Sequence, residues 1–205
     1  MRYPPAVRYR NGLIIALLGY SAIRRRNLAM IEIGRHLTED GEGYRLDFTA
    51  QETKQKRKIS FILPAALVTA LNRYLQVYRP VLLELGPHQG KAGSALWVGA
   101  DGDRLNAGGI YRATTEYTKA KLGYAVSPHR FRDSAATTIA TEDPAHVRDI
   151  LAVLGHSSPA TSERHYNQAG TIEASQAYHK ALRKLRSRHA RRRRGIGDVD
   201  EGAVE

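Results

Sequence analysis

The sequence predicts an α+β fold that is mainly helical and has one small antiparallel β-sheet near its N-terminal part. Three observations lead to this prediction. Apolar residues recur at helical spacing over most of the chain. Two short segments alternate apolar and polar residues instead, which is typical of half-buried strands. Several helical segments follow a serine, asparagine or aspartate, the residue types that cap helix N-termini, and three of these caps precede a proline.

In the sequence, helices are predicted both before and after the two strands, and an irregular lead-in is predicted over residues 1–8. Pro64 is expected to open one helix as its first residue, and Pro80 to end it. Asn106 caps another helix, which runs through Lys121 and ends at Gly123. The remaining helices are predicted over residues 10–18, about 21–30, 128–140, 144–154 and 173–188, with one more that begins at Pro159 and carries Tyr166.

The two predicted strands cover residues 44–48 and 59–63, where apolar and polar side chains alternate. The basic stretch 54–58 lies between them and is expected to form the hairpin connection. Residues 84–104 are rich in glycine and polar residues, so a loop is predicted there, with a short strand at 96–98.

The chain is predicted to form one domain, over residues 9–188, and a basic and then acidic tail over residues 189–205 that we expect to be disordered. No apolar run approaches the roughly 18–20 residues that cross a membrane, and no signal peptide is recognisable. The absence of cysteine excludes disulfide scaffolds, thiolate zinc sites and cysteine nucleophiles. A cytoplasmic location is therefore predicted.

Positive charge is in excess, because 32 lysine and arginine residues outnumber 20 aspartate and glutamate residues and give a net charge of +12. The basic residues cluster at 24–26, 54–58 and 191–194. This pattern predicts a polyanionic partner. Nucleic acid is favoured over a membrane surface, because no predicted helix has a basic face opposite a strongly apolar one. Charge alone leaves open a ribosomal protein, a DNA enzyme or a basic protein with no such partner.

Six residues together supply what a metal-free phosphodiester enzyme requires: a nucleophile, fixed cations for the phosphate oxygens and an acid for the leaving oxygen. His129 and Arg132 share one face near the start of a predicted helix, since they are three residues apart. Each residue alone also fits a structural role, such as a solvated surface pair, a helix cap or a packed tyrosine. Their order along the chain favours the chemistry. The six are Arg24, which is expected within a helix, Lys54, His129, Arg132, His156 and Tyr166.

Several strings in the sequence resemble the signature boxes of the tyrosine recombinase family, which includes phage integrases and Xer-type chromosome resolvases. The ordered set is specific, although no single string is. The match spans about residues 9–170. The strings are AIR at 22–24 with Leu28, TK at 53–54, SPHRFRD at 127–133, LGHSS at 154–158 and ERHY at 163–166.

The resemblance implies a tyrosine recombinase-like catalytic domain that breaks and rejoins DNA. Tyr166 would attack the scissile phosphate and leave a 3′-phosphotyrosine and a free 5′-hydroxyl. Arg24 and Arg132 would each fork onto phosphate oxygens, which lysine cannot do.

Proton transfer would fall to the other members of the set. Lys54 would protonate the leaving 5′-oxygen, and it is preferred over Lys56 and Lys58 because it leads the hairpin. His129 would assist proton transfer and His156 would hydrogen-bond the phosphate. The covalent intermediate keeps the bond energy, so the resemblance implies no metal, nucleotide or other cofactor.

The implied partner is double-stranded DNA, bound by a homo-oligomer that forms a tetrameric synapse, and the implied location is the cytoplasm in association with the nucleoid. The predicted helix at 173–188 is expected to support self-association. Further DNA contacts are predicted for Arg25, Arg26, Lys56, Arg57, Lys58 and Arg130.

The sequence departs from the family pattern at three points. Asn27 stands where the family commonly has an acidic residue that braces the arginine, so weaker orientation of Arg24 is expected. Tyr166 follows His156 by ten residues, one more than the commonest family spacing. The chain begins almost at the first catalytic helix, so the family's N-terminal DNA-clamping domain is expected to be absent. A DNA-binding remnant without recombination activity and a type IB topoisomerase-like enzyme therefore remain alternatives.

Overall fold

A computed structural model describes residues 4–21, 23–54, 56–142 and 178–187. These residues are mainly helical and include one three-stranded antiparallel sheet of order β1-β2-β3, which confirms the predicted fold class. The predicted helices at 144–154 and from Pro159, and the tail at 189–205, lie outside the described residues. The helices are α1 (Pro5–Ser21), α2 (Arg25–Met30), α3 (Ala65–Arg73), α4 (Arg79–Leu83), α5 (Ala107–Leu122) and α6 (Pro128–Glu142), and the strands are β1 (Leu37–Asp40), β2 (Gly43–Phe48) and β3 (Ile59–Ile62).

The sheet contains both predicted strands and one that the sequence did not predict. Strands β2 and β3 pair antiparallel, with Arg45 opposite Ile62 and Phe48 opposite Ile59. Strand β1 pairs antiparallel with the other edge of β2. Its four residues include one apolar side chain, that of Leu37, so no alternation marks it as a strand. It becomes a strand because Leu37 joins the core and the backbone of β2 offers it hydrogen bonds.

The start of the chain corrects two predictions. Helix α1 begins at Pro5, so residues 5–8, which were predicted to be irregular, are helical; proline is well suited to a first helical turn. The second predicted helix was expected to begin near Ser21, but α2 begins at Arg25 and Arg24 has an extended backbone, with φ −68° and ψ 140°. If one helix continued through this segment, the side chains of Ile23 and Leu28 would point about 140° apart around its axis, and both could not face the core. The break in the helix allows both side chains to be buried.

Pro80 does not end the helix that follows β3. Helix α3 begins at Ala65, with Pro64 as its N-cap, one residue later than predicted. It passes into a π-helical turn, Tyr74–Tyr78, in which the Arg79 N–H bonds the Tyr74 carbonyl, and then into α4. Pro80 lies in the first turn of α4, where its missing N–H needs no partner.

The loop at 84–104 does not contain the predicted strand at 96–98. The backbone there forms isolated bridges, with Ala95 opposite Glu32 and Val98 opposite Arg104. The buried Trp97 donates its indole N–H to the Leu28 carbonyl at 2.9 Å. This loop therefore supports the end of α2 without adding a strand to the sheet.

The predicted signals for α5 and α6 are confirmed. Asn106 caps α5, with its side chain accepting a hydrogen bond from the Gly109 N–H at 2.9 Å, and Gly123 ends the helix at φ 82°. Helix α6 begins at Pro128 as predicted and is helical through Glu142, the last residue described in this part of the chain, so it includes the whole predicted range 128–140. Of the predicted helix at 173–188, residues 178–187 are described and are helical.

The core lies among α1, the sheet, α3 and the 84–104 loop, and it holds side chains such as Ile14, Leu46 and Trp97. Helix α5 contacts α1 and α2, and α6 contacts α1 and α5. These contacts bring the N-terminal ends of α2 and α6 to the same part of the surface. None of the helices in the described ranges is both long and apolar enough to span a bilayer.

Candidate active site

A cavity of about 500 Å³ opens where the N-terminal ends of α2 and α6 meet the hairpin connection and α5. It brings together four of the six predicted catalytic residues, which come from three separate parts of the chain. The other two, His156 and Tyr166, lie outside the described residues. The cavity is lined by Arg24, Arg25, Arg26, Lys54, Tyr111, Ser127, Pro128, His129 and Arg132.

Arg24 is held at the start of α2, not within a helix as the sequence had predicted. Its carbonyl accepts the hydrogen bond from Leu28 N at 2.8 Å that closes the first turn. Leu28 is fully buried, and the Trp97 indole bonds its carbonyl, so α2 is anchored in the core at its other end. The half-buried Arg24 side chain thus leaves the backbone at a fixed point on the cavity wall.

Arg132 is the most deeply buried cation of the cavity, with 5% of the residue exposed. Burial is the main cause that lowers its pKa to about 10, and the positive charge of the nearby Arg24 lowers it further. The Asp133 carboxylate opposes this shift. Arg132 is nevertheless protonated at neutral pH. Two guanidinium groups close enough to repel each other form a site that an anion would stabilise.

His129 lies on the exposed side of α6, three residues before Arg132. Its Nε2 atom is 3.5 Å from Oδ1 of Asp133, one helical turn along the same face. Asp133 belongs to the signature string at 127–133, but the sequence predicted no role for it. The i, i+4 spacing of the two residues was the signal that could have found this pair.

The hairpin connection holds Lys54 between two sets of hydrogen bonds. Before it, Thr49 and Glu52 form a capping box around a 3₁₀ turn, Ala50–Glu52. Around it, the buried Thr53 bonds Arg57 twice. The Thr53 hydroxyl accepts a hydrogen bond from the Arg57 N–H at 3.0 Å and donates one to the Arg57 carbonyl at 2.7 Å. Lys54 itself is exposed and lines the cavity.

Glu52 is the polar centre of this connection. Its carboxylate accepts hydrogen bonds from the backbone and side chain of Thr49 and contacts the buried His36 ring at 3.1 Å. The backbone hydrogen bond from Thr49 is the main cause that lowers the Glu52 pKa to about 2. Arg35 also pairs with this carboxylate.

Asn27 joins α2 to the same connection. The residue is 3% exposed, and its side-chain nitrogen donates to the backbone carbonyl of Glu52 at 3.0 Å. The sequence predicted a brace on Arg24 from this residue, and that role stays a prediction. The contact with Glu52 was not foreseen, because it joins residues 25 positions apart.

Tyr111 is a cavity residue that sequence reasoning missed. The Arg25 guanidinium lies 5.5 Å from the centre of its ring, a cation–π contact. Nothing in the local sequence marks Tyr111, because the contact depends on how α5 packs against α2. Arg25 and Arg26 both line the cavity. All six predicted DNA contacts stay predictions. The four that do not line the cavity are exposed: Lys56, Arg57, Lys58 and Arg130.

A second tyrosine lies close to the site but differs in character from a nucleophile. Tyr178 is 1% exposed, and burial raises its pKa. The charge of Arg132 acts on it in the opposite direction. A buried phenol with a raised pKa is poorly placed to form a phenolate, so Tyr178 is a structural neighbour of Arg132. Within the described ranges, no cluster of three or more His, Asp or Glu side chains is placed to hold a metal ion.

Solved structures of known proteins match most of this chain. A Xer-type recombinase, XerH, solved with its difH substrate before cleavage, has a TM-score of 0.56 and 20% identity, and the match covers 87% of this chain and 44% of that one. The corresponding post-cleavage complex has a TM-score of 0.57 and 20% identity, covering 85% and 47%. This likeness shows the fold of a tyrosine recombinase catalytic domain.

Among curated proteins, the tyrosine recombinase XerC of Bifidobacterium longum subsp. infantis is 33% identical over 159 residues, which are 76% of this chain and 42% of that protein. XerC of Mycobacterium bovis BCG is 30% identical over 183 residues, 89% of this chain and 53% of that protein. The chain thus spans about half the length of the curated relatives it matches. Residues 3–171 match the family model described as the phage integrase family. Since this match covers most of the chain and includes every signature string, the chain belongs to the phage integrase family.

Proposed function

We propose that this chain is the catalytic domain of a site-specific DNA recombinase, which breaks and rejoins double-stranded DNA through a 3′-phosphotyrosine intermediate. One observation carries the proposal: Arg24, Lys54, His129 and Arg132 come from distant parts of the sequence and line one cavity. The XerC relatives are named tyrosine recombinases, and the XerH structures contain a difH substrate. Both support DNA as the polyanion for this basic cavity.

The reaction begins when the Tyr166 oxygen attacks the scissile phosphorus. The bond from phosphorus to the 5′-oxygen breaks, and the Lys54 ammonium gives a proton to that oxygen. The phenol proton passes to His129, whose Nε2 atom lies 3.5 Å from Oδ1 of Asp133. The products are a 3′-phosphotyrosine and a free 5′-hydroxyl, and attack by a 5′-hydroxyl reverses the same steps to rejoin the strand.

Arg24 and Arg132 stabilise the charge that develops on the phosphate oxygens. Their guanidinium forks match the geometry of two oxygens at once. Because the two groups are fixed at the starts of α2 and α6, they need little reorganisation as charge accumulates. His156 is proposed as a further hydrogen-bond donor to the phosphate. Arg25 and Arg26, at the same cavity, would bind the flanking backbone and make binding salt-sensitive.

The experiment is a cleavage assay with a suicide DNA duplex, nicked near the scissile phosphate so that the released fragment diffuses away. The duplex is drawn from a library of family core sites and incubated with the chain in EDTA. A covalent adduct on a denaturing gel, mapped by mass spectrometry to Tyr166, is the expected result. Tyr166→Phe should abolish the adduct and leave DNA binding nearly intact.

Tyr178→Phe is the matched control, because this tyrosine is buried beside Arg132 and has no role in the proposed chemistry. It should retain the adduct. An adduct that persists in Tyr166→Phe would contradict the assignment of the nucleophile. Salt-sensitive binding with no adduct from the unmodified chain would favour the DNA-binding remnant, and plasmid relaxation without strand exchange would favour topoisomerase-like chemistry.

A further inference from the structure

Asn27 connects the two sides of the cavity through one partly buried hydrogen bond. It lies on α2 three residues after Arg24, and its side-chain nitrogen donates to the Glu52 carbonyl, two residues before Lys54. Asn27 is 3% exposed, so a lost partner there would not be replaced freely by water. The short helix that presents Arg24 therefore also holds the backbone that presents Lys54.

The connection around Lys54 has its own hydrogen bonds, which make its shape definite. The Glu52 carboxylate ties it to Thr49 and His36, and the Thr53 hydroxyl ties it to Arg57. These bonds fix the internal shape of the connection. Its distance from α2 must be set by other contacts. The Asn27 amide supplies such a contact directly.

We propose that Asn27 is a positioning residue for Lys54, setting the distance between the general acid and the phosphate site at Arg24; this inference rests on the proposed function. The role needs a hydrogen-bond donor at position 27. An aspartate of the same shape would be ionised at neutral pH and would turn two acceptors, its carboxylate and the Glu52 carbonyl, toward each other. In this chain, the acidic residue that the family commonly carries there would therefore impair Lys54.

The test compares two suicide substrates that differ in one atom. One has the ordinary 5′-oxygen at the scissile phosphate, and the other has a bridging 5′-sulfur. A thiolate leaves without being protonated, so cleavage of the phosphorus–sulfur bond does not need the acid. A defect in acid positioning slows the oxygen substrate alone, whereas a defect in folding or phosphate binding slows both.

Asn27→Asp should slow single-turnover cleavage of the oxygen substrate by about 10-fold or more, a part of the ~10²–10⁴-fold that general acid catalysis contributes. On the sulfur substrate, its single-turnover rate should be within about threefold of the rate of the unmodified chain, since small changes in packing can have an effect of that size. Asn72→Asp is the matched control. Asn72 accepts a hydrogen bond from Tyr44 at 2.6 Å outside the cavity, and aspartate can still accept it.

Thr53→Val tests the same idea from the other side of Lys54. Valine keeps the size of threonine but removes the bonds to Arg57, so the same selective loss on the oxygen substrate is expected. This variant leaves α2 unchanged and tests whether the shape of the connection matters to Lys54. If Asn27→Asp does not fold, Asn27→Ala, which removes the bond to the Glu52 carbonyl without adding a charge, tests the Asn27 contact and should show the same selective loss. Thermal unfolding and DNA binding are measured for every variant.

Lys54→Ala separates failure of this inference from failure of the proposed function. If Lys54→Ala recovers on the sulfur substrate and Asn27→Asp is slowed equally on both substrates, the positioning role is overturned and Lys54 keeps its role. Unchanged oxygen cleavage in Asn27→Asp would also overturn it. If Lys54→Ala does not recover on sulfur, Lys54 is not the general acid and this inference is overturned, while the proposed function stands as long as the unmodified chain forms the adduct. If the unmodified chain forms no adduct, the proposed function fails and this inference fails with it.

Discussion

Two cavities of nearly equal volume on this molecule show why size does not identify a functional site. The candidate active site measures about 500 Å³, and a second cavity, among α1, α3, the π-helical turn and α5, measures about 490 Å³. The first is lined by five lysine and arginine side chains. The second is built mainly from tyrosine and small apolar side chains, with Arg8 and Lys121 as its basic residues.

Two of the three tyrosines that line the second cavity already contact other parts of the protein. The rings of Tyr9 and Tyr78 stack at 4.2 Å, and the Tyr9 hydroxyl donates to the Ala70 carbonyl at 3.1 Å. Their contribution is therefore to the packing of α1 against α3 and the π-helical turn. In the first cavity, burial is the main cause that lowers the pKa of Arg132, and the positive charge of the nearby Arg24 lowers it further. The two cavities therefore differ in the number and burial of their basic side chains, and not in their volume.

The largest effect should come from removing a cation of the first cavity. Arg132→Ala is expected to slow single-turnover cleavage by ~10²–10³-fold, the usual loss when a fixed donor to a developing oxyanion is removed. Arg8→Ala removes a cation of the second cavity and should change the rate by no more than about twofold, as expected of a surface substitution. Equal losses in the two variants, measured with the suicide duplex, would remove the distinction between the cavities.

An intermediate effect concerns the stability of the connection beneath the first cavity. The folded-state pKa of Glu52 is lowered to about 2, whereas an unfolded glutamate has a pKa of about 4.3. Its stabilising contribution is therefore complete above about pH 4.3 and is lost as pH falls toward 2. The free energy of unfolding is measured in urea between pH 2 and 6 for the unmodified chain and for Glu52→Gln. The unmodified chain should be the more stable of the two at pH 6 and should lose this advantage as the pH falls toward 2. A difference that does not vary with pH would show that the Glu52 charge contributes nothing.

The smallest effect should come from Tyr111. Tyr111→Leu removes the aromatic face beneath Arg25 but keeps an apolar side chain. A cation–π contact at an exposed site contributes about 0.5–1 kcal/mol, so DNA affinity should fall about two- to fivefold. Titration of labelled duplex at fixed salt measures it, with Tyr117→Leu at the second cavity as the matched control. Equal losses would mean that the Arg25 contact is not specific to DNA binding.

The sequence predicted those parts of the fold that depend on short-range signals. Asn106 marks a helix start through its side chain, Gly123 and Pro128 mark helix ends through their backbone conformation, and the alternation of residue types marks β2 and β3. Strand β1 and the extended backbone at Arg24 were missed, because each is set by burial against distant elements.

For the candidate site, too, local patterns predicted the residues but not the contacts between distant elements. The identities of Arg24, Lys54, His129 and Arg132 were available from the signature strings, and the structure places them at one cavity. The contacts that position them were not available. Asn27 with Glu52 and Tyr111 with Arg25 join residues from separate elements, so local patterns carry no signal for either pair.

The central claim is that Arg24 and Arg132 bind the non-bridging oxygens of the scissile phosphate, and substitution of one oxygen tests it most directly. A methylphosphonate at the scissile position replaces a charged oxygen with a neutral methyl group. Single-turnover cleavage of both duplexes is measured for the unmodified chain, Arg24→Ala and Arg132→Ala. Each variant should lose ~10²-fold or more on phosphate and less than about 10-fold on methylphosphonate, because the charge it would have stabilised is absent. Equal losses on both duplexes would contradict the account.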